Sequence, residues 1–150
     1  MSKEGAENII AAVAKAMNKK KFNLKSFNDR LMIQKGCFLL NLMEVGPKYK
    51  FSMYLKGPYS RELAEDYFML GKNISYETDV PEKDINELSE IMGRGPKFVV
   101  AYTTIILMAG YRKDMKEDEL ADFVANLEPH IEREIVKEAS EYRKIAASVT

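Results

Sequence analysis

The sequence predicts a mainly α-helical fold, a single compact domain of about six to seven helices with a small β-hairpin or wing. Three observations predict it. Apolar residues recur at helical spacing in most segments between the Gly and Pro breaks. One stretch, "KYKFSMYLK" at 48–56, alternates with period two instead. The 150 residues, 46% apolar and 31% charged, suit one ordinary globular core over 1–150, and no repeat or linker interrupts them.

Residues 6–18 place Ile9, Ile10, Val13 and Met17 on one stripe with Lys15 and Asn18 opposite, so an amphipathic first helix is expected. The basic, turn-rich "NKKKFNLKSFN" follows, with Asn28 as the expected N-cap of a second helix over 28–44. Leu31, Ile33, Cys37, Phe38, Leu40 and Leu42 make that helix apolar on nearly every side, which assigns it to the centre of the fold. Gly36 inside it costs about 1 kcal/mol relative to Ala and points to close approach by a neighbouring element.

"VGP" at 45–47 stops the second helix, and the alternation puts Tyr49, Phe51, Met53 and Leu55 on one face of a half-buried strand. Gly57-Pro58 should end that strand, because proline cannot donate to a ladder. Ser60 is then the N-cap of a third helix, with Glu62 in the first turn where the helix dipole favours a carboxylate. Leu63, Ala64, Tyr67 and Phe68 form its buried stripe and Gly71 ends it. Ile74 to Glu77 reads as a second strand, pairing with the first as a hairpin or wing.

A fourth helix over 81–92 starts at Pro81 and turns Ile85, Leu88 and Met92 inward. "GRGP" ends it and Pro96 opens the next. Residues 97–109 are rich in β-branched side chains, yet their length and lack of alternation predict a central helix. Asp114 with Glu117 reads as a capping-box-like start for a sixth helix, whose core stripe is Leu120, Phe123, Val124 and Leu127. Pro129 opens a long last helix with Ile131, Ile135, Ala139, Tyr142 and Ala146 inward.

Little of this points to catalysis. His130 is the only histidine, and with Glu134 it offers two ligands where zinc sites need three or four from the protein. Ser60 or Cys37 paired with His130 lacks an evident orienting group. "MGRGPK" at 92–97 is a helix stop followed by a proline start rather than a Walker loop. The expectation is a protein that is not an enzyme, with no catalytic residues, metal or cofactor. A lone cysteine, an N-terminus "MSKEGAENII" without leader character and an apolar run of only twelve residues at 98–109 predict a cytoplasmic protein with no membrane partner.

Charge is distributed unevenly along the chain. Residues 1–75 carry thirteen Lys or Arg against seven Asp or Glu, and residues 76–150 carry ten against sixteen. Two helices, a strand, a turn and a third helix approach the order of a winged helix-turn-helix domain, so a winged-helix-like N-terminal half and DNA binding are an alternative. Lys19, Lys20, Lys21, Lys25 and Arg30, with Lys15 and Lys35 in the same half, would then contact phosphates. The third helix itself opposes this with Glu62, Glu65 and Asp66 against Arg61 alone.

"RLMIQKGCFLL" at 30–40 and "FSMYLKGPYSRELAEDYFML" at 51–70 resemble the Panacea family of antitoxin and phage-associated proteins, and more closely its YwgA-like bacterial and archaeal relatives. The resemblance runs over about residues 28–148 and continues through the apolar helix, the acidic helix and "EPHIEREIVKEA". It departs at Gly36 and Cys37, where larger apolar residues are usual, and at Glu128, where a basic residue precedes Pro129. A mostly helical fold is implied, and a role in binding a protein partner, antitoxin-like or adaptor-like, with a toxin among the candidate partners. Self-association into a homo-oligomer is left open. The candidate contact residues are Tyr54, Lys56, Gly57, Pro58, Tyr59, Ser60 and Arg61.

Overall fold

A computed structural model describes residues 3–149. Met1 and Ser2, which open the stretch used to argue against a leader, lie outside the described residues. Within them the protein is mainly α-helical with a small two-stranded antiparallel hairpin. The chain divides into two compact units, one running to Phe51 and resuming over Tyr59–Arg94, the other formed by Ser52–Pro58 and the residues from Gly95 onward.

The first unit contains α1 (Lys3–Ala16), α2 (Phe27–Leu42), α3 (Arg61–Leu70), a 3-10 turn (Gly71–Asn73) and α4 (Glu82–Met92). α1 packs against α2, α3 and α4. The expected stripe is there, with Ile9, Ile10 and Val13 buried and Lys15 exposed, and three neighbours widen it, so that Ala6, Ala11, Ala12, Ala14 and Ala16 are buried too. Its alanines let helices approach from several sides without forcing rotamers. α2 shares the core through Met32, Ile33 and Leu40. The close approach expected at Gly36 comes from α1, since a Cβ there would stand 2.6 Å from both methyls of Val13.

Serine side chains cap the starts of α2 and α3. Ser26, not Asn28, caps α2, its Oγ accepting from Asp29 N at 3.2 Å. Serine wins because its side chain reaches the third residue on from an extended backbone, which leaves Asn28 inside the first turn. Ser60 caps α3 as expected, accepting from Leu63 N at 3.2 Å, and Gly71 ends that helix at φ +53°. Leu63, Ala64, Tyr67 and Leu70 are the buried residues of α3, whereas Phe68 is exposed.

The second unit contains α5 (Pro96–Tyr111), α6 (Glu117–Leu127) and α7 (Arg133–Val149), each packed on the other two, with strand β1 (Ser52–Tyr54) against α5. The β-branched stretch is helical, as length predicted. Thr103 fits the buried interior of α5 because its hydroxyl donates to the Val99 carbonyl at 2.7 Å. Phe98 stacks on Tyr102 at 5.8 Å, and Tyr142 of α7 meets both rings edge-on.

Both later helices start beyond their expected positions. Asp114 is held by Arg112, and α6 begins instead after Lys116, whose N–H donates to the Glu119 carboxylate at 3.1 Å. Pro129 to Glu132 form a non-helical turn before α7, so its inner face is Val136, Ala139 and Ser140 rather than a stripe beginning at the proline. Ala146 is exposed and Ile135 half-buried.

The hairpin differs most from expectation. Gly57-Pro58 does not end the sheet; it begins the second strand, β2 (Gly57–Tyr59), after a two-residue turn at Leu55-Lys56. A two-stranded sheet is all edge, so a proline without a donor is tolerated there. Gly57 at φ +89° supplies the left-handed step that reverses the chain. Ile74 to Glu77 forms no strand, which leaves no wing after α3.

Candidate functional site

The sequence brings attention to the stretch from Tyr54 to Arg61, and the structure sorts its residues by exposure. At the hairpin tip Tyr54 is 61% exposed and Leu55 77%. Gly57 and Pro58 are buried, Tyr59 is half-buried, and Ser60 is fully buried. Arg61 projects into solvent within 4.0 Å of Glu65. The stretch therefore separates into an exposed tip and a buried turn that holds the chain in place.

Leu55 carries the largest exposed fraction among the large apolar side chains described, although the alternation puts it on the same strand face as Tyr49, which is buried. The signal for its true position was Gly57: a glycine two residues on is where a two-residue turn rejoins the sheet.

Ser60 is held by Gln34 of α2. The Gln34 amide nitrogen donates to the Ser60 carbonyl at 2.9 Å and its oxygen accepts from the Ser60 N–H at 2.8 Å. Gln34 also hydrogen-bonds the Tyr67 hydroxyl, whose pKa is raised because burial outweighs that bond. The "QK" and "GPYS" marks of the resemblance thus meet in space through Gln34 and Ser60. Lys35, the second residue of "QK", is buried and engaged, so it is not a cation available to DNA.

The basic connection is likewise partly spent inside the fold. Lys19 pairs with Asp29 at 2.8 Å, and Asp29 also accepts from Asn23 N at 2.8 Å. Burial works to raise the Asp29 carboxyl, but these two bonds prevail and its pKa is lowered. Arg30 donates to the Leu24 carbonyl at 2.8 Å with its guanidinium near the Phe27 ring. Lys20, Lys21 and Lys25 remain exposed.

In the second unit Lys56 and Lys97 face His130. Burial first, then the two lysines, lower the His130 pKa, with Glu132 opposing. The His130 Nε2 lies 3.6 Å from Glu128, too far for a hydrogen bond, and the Glu128 carboxylate is fully buried. Cys37 is buried, which pushes its thiol far above the usual range and makes it inert as a nucleophile. Among the described residues no three His, Cys, Asp or Glu side chains come together as a metal site would need, and no helix is long and apolar enough to cross a membrane.

No family model, curated protein or solved structure matches the chain.

Proposed function

We propose that this protein is a non-enzymatic interaction module, antitoxin-like or adaptor-like, that docks a protein partner through the hairpin tip. One observation carries the reading: two adjacent large apolar side chains, Tyr54 at the end of β1 and Leu55 in the two-residue turn that follows, are exposed. A tight turn restricts the tip, so little order is lost when a partner covers it. Tyrosine supplies broad contact area with few rotatable bonds, which is why it recurs at interface anchors. The Panacea-like pattern supports the same class of role.

The test is purification of the tagged protein from its own host after nuclease treatment, beside a Leu55→Asp variant. A protein recovered with the native chain and lost with the variant, at equal thermal stability, is the expected result. Recovery of no protein, or equal recovery with both chains, contradicts the reading.

A further inference from the structure

We propose that a groove in the first unit, between the end of α1 and the chain at 76–78, binds a small organic anion bearing phosphate or carboxylate groups. The groove encloses about 720 Å³, inside the roughly 300–1,000 Å³ range of small-molecule sites. Ala11 and Ala14 form an apolar floor. Lys15, Lys19 and Lys20 line it together with one carboxylate, Glu77, and three ammonium groups at one mouth offer donors to an anion's oxygens.

The lysines differ in how free they are. Lys15 is paired with Glu82 at 3.1 Å and Lys19 with Asp29 at 2.8 Å. Lys20 is exposed and, among the described residues, makes no ion pair. Its ammonium is the group placed to meet an incoming phosphate or carboxylate oxygen, with the other two contributing charge at fixed positions.

The groove is already shaped. Thr78 Oγ1 donates to Asn8 Oδ1 at 2.7 Å, Asp79 N donates to the same oxygen at 3.0 Å, and Asn8 Nδ2 returns a bond to Asp79 at 2.8 Å. Towards the other end the Phe22 N–H donates to the Tyr76 hydroxyl at 2.9 Å. Both walls are thereby tied to the same unit at separate points. Two non-glycine residues with left-handed backbone, Asn18 at φ +56° and Tyr76 at φ +57°, lie in the lining. Asparagine adopts that conformation readily at a helix end, but for tyrosine it is strained and persists only where the surroundings fix it. A ligand entering such a groove orders little on arrival.

Amide NMR of the full chain at low ionic strength tests this, with ATP, inorganic pyrophosphate and citrate as separate probes. The expected result is saturable shifts confined to Ala14, Lys20, Glu77 and their neighbours with at least one probe. ATP binding above pyrophosphate means that the alanine floor contributes, equal binding assigns the phosphate alone, and citrate binding alone assigns the carboxylate. Lys20→Glu should weaken that binding about tenfold or more, about 1.4 kcal/mol, while Lys25→Glu outside the groove leaves it unchanged. No saturable shift with any probe at millimolar concentration, or equal losses in the two variants, overturns the proposal. The hairpin variant Leu55→Asp should bind as the native chain does, which keeps this reading separate from the partner reading.

Discussion

Gln34 and Ser60 are joined by two hydrogen bonds at 2.9 and 2.8 Å, a side-chain amide giving the Ser60 N–H its acceptor and the Ser60 carbonyl a second donor beside Ala64 N of α3 at 3.1 Å. Both residues are buried, so neither bond is easily replaced by water. The arrangement fixes the chain where β2 ends and α3 begins, and it leaves the Ser60 hydroxyl free to cap that helix.

Gln34→Ala should therefore be costly. It leaves the buried Ser60 N–H without its acceptor, at a cost of about 1–3 kcal/mol, while the Ser60 carbonyl keeps Ala64 N. A fall of about 2 kcal/mol in urea-denaturation stability with an unchanged m-value is expected. A loss below about 1 kcal/mol would mean that other contacts hold the turn.

Gly36 tests the α1–α2 contact. Gly36→Ala gains helix propensity but drives a Cβ to 2.6 Å from the Val13 methyls, and overpacking of this kind costs about 1–3 kcal/mol. The double variant with Val13→Ala should recover part of that loss, a coupling readable from a double-mutant cycle. Simple additivity would show that the two sites do not meet.

Acid should weaken the Lys19–Asp29 corner. The Asp29 carboxyl is held below its ordinary value of 3.8, so its contribution is full above that pH and is lost as pH falls through the lower folded value. Asp29→Asn should destabilise the protein at neutral pH, with the difference from the native chain shrinking below about pH 3.8 in chemical denaturation.

His130 acts in a different window. Its folded pKa lies below the ordinary 6.5, so the unfolded chain takes up the proton first and stability falls as pH drops below 6.5. His130→Gln should flatten that part of the stability profile. A stability that rises on acidification across the same interval would reverse the assignment of Lys56 and Lys97 as its dominant charged neighbours.

Helical periodicity made most of the fold legible, and the start signals at Ser60, Pro81 and Pro96 and the stop at Gly71 stand close to the observed boundaries. Where the reading failed, competition between nearby groups was responsible. Ser26 outcompeted Asn28 as a cap, and Asp114 was occupied by Arg112 instead of starting α6. Period two over 48–56 was real in pattern, but only Ser52–Tyr54 pairs, and the partner strand lay immediately beyond the turn rather than after α3. Candidate-site residues were less legible because exposure depends on packing that local sequence does not encode. Ser60 and Gly57 looked like surface turn residues and are buried, while Leu55 looked like core and is exposed.

The hairpin tip is the part of the account most open to direct contradiction. A photo-crosslinking amino acid placed at position 55 and activated in the native host, followed by mass spectrometry, reads out what covers it. The account predicts a crosslink to one distinct protein that is absent when the same probe replaces exposed Lys25. Crosslinks only to the chain's own copies, to nucleic acid, or to nothing would contradict it.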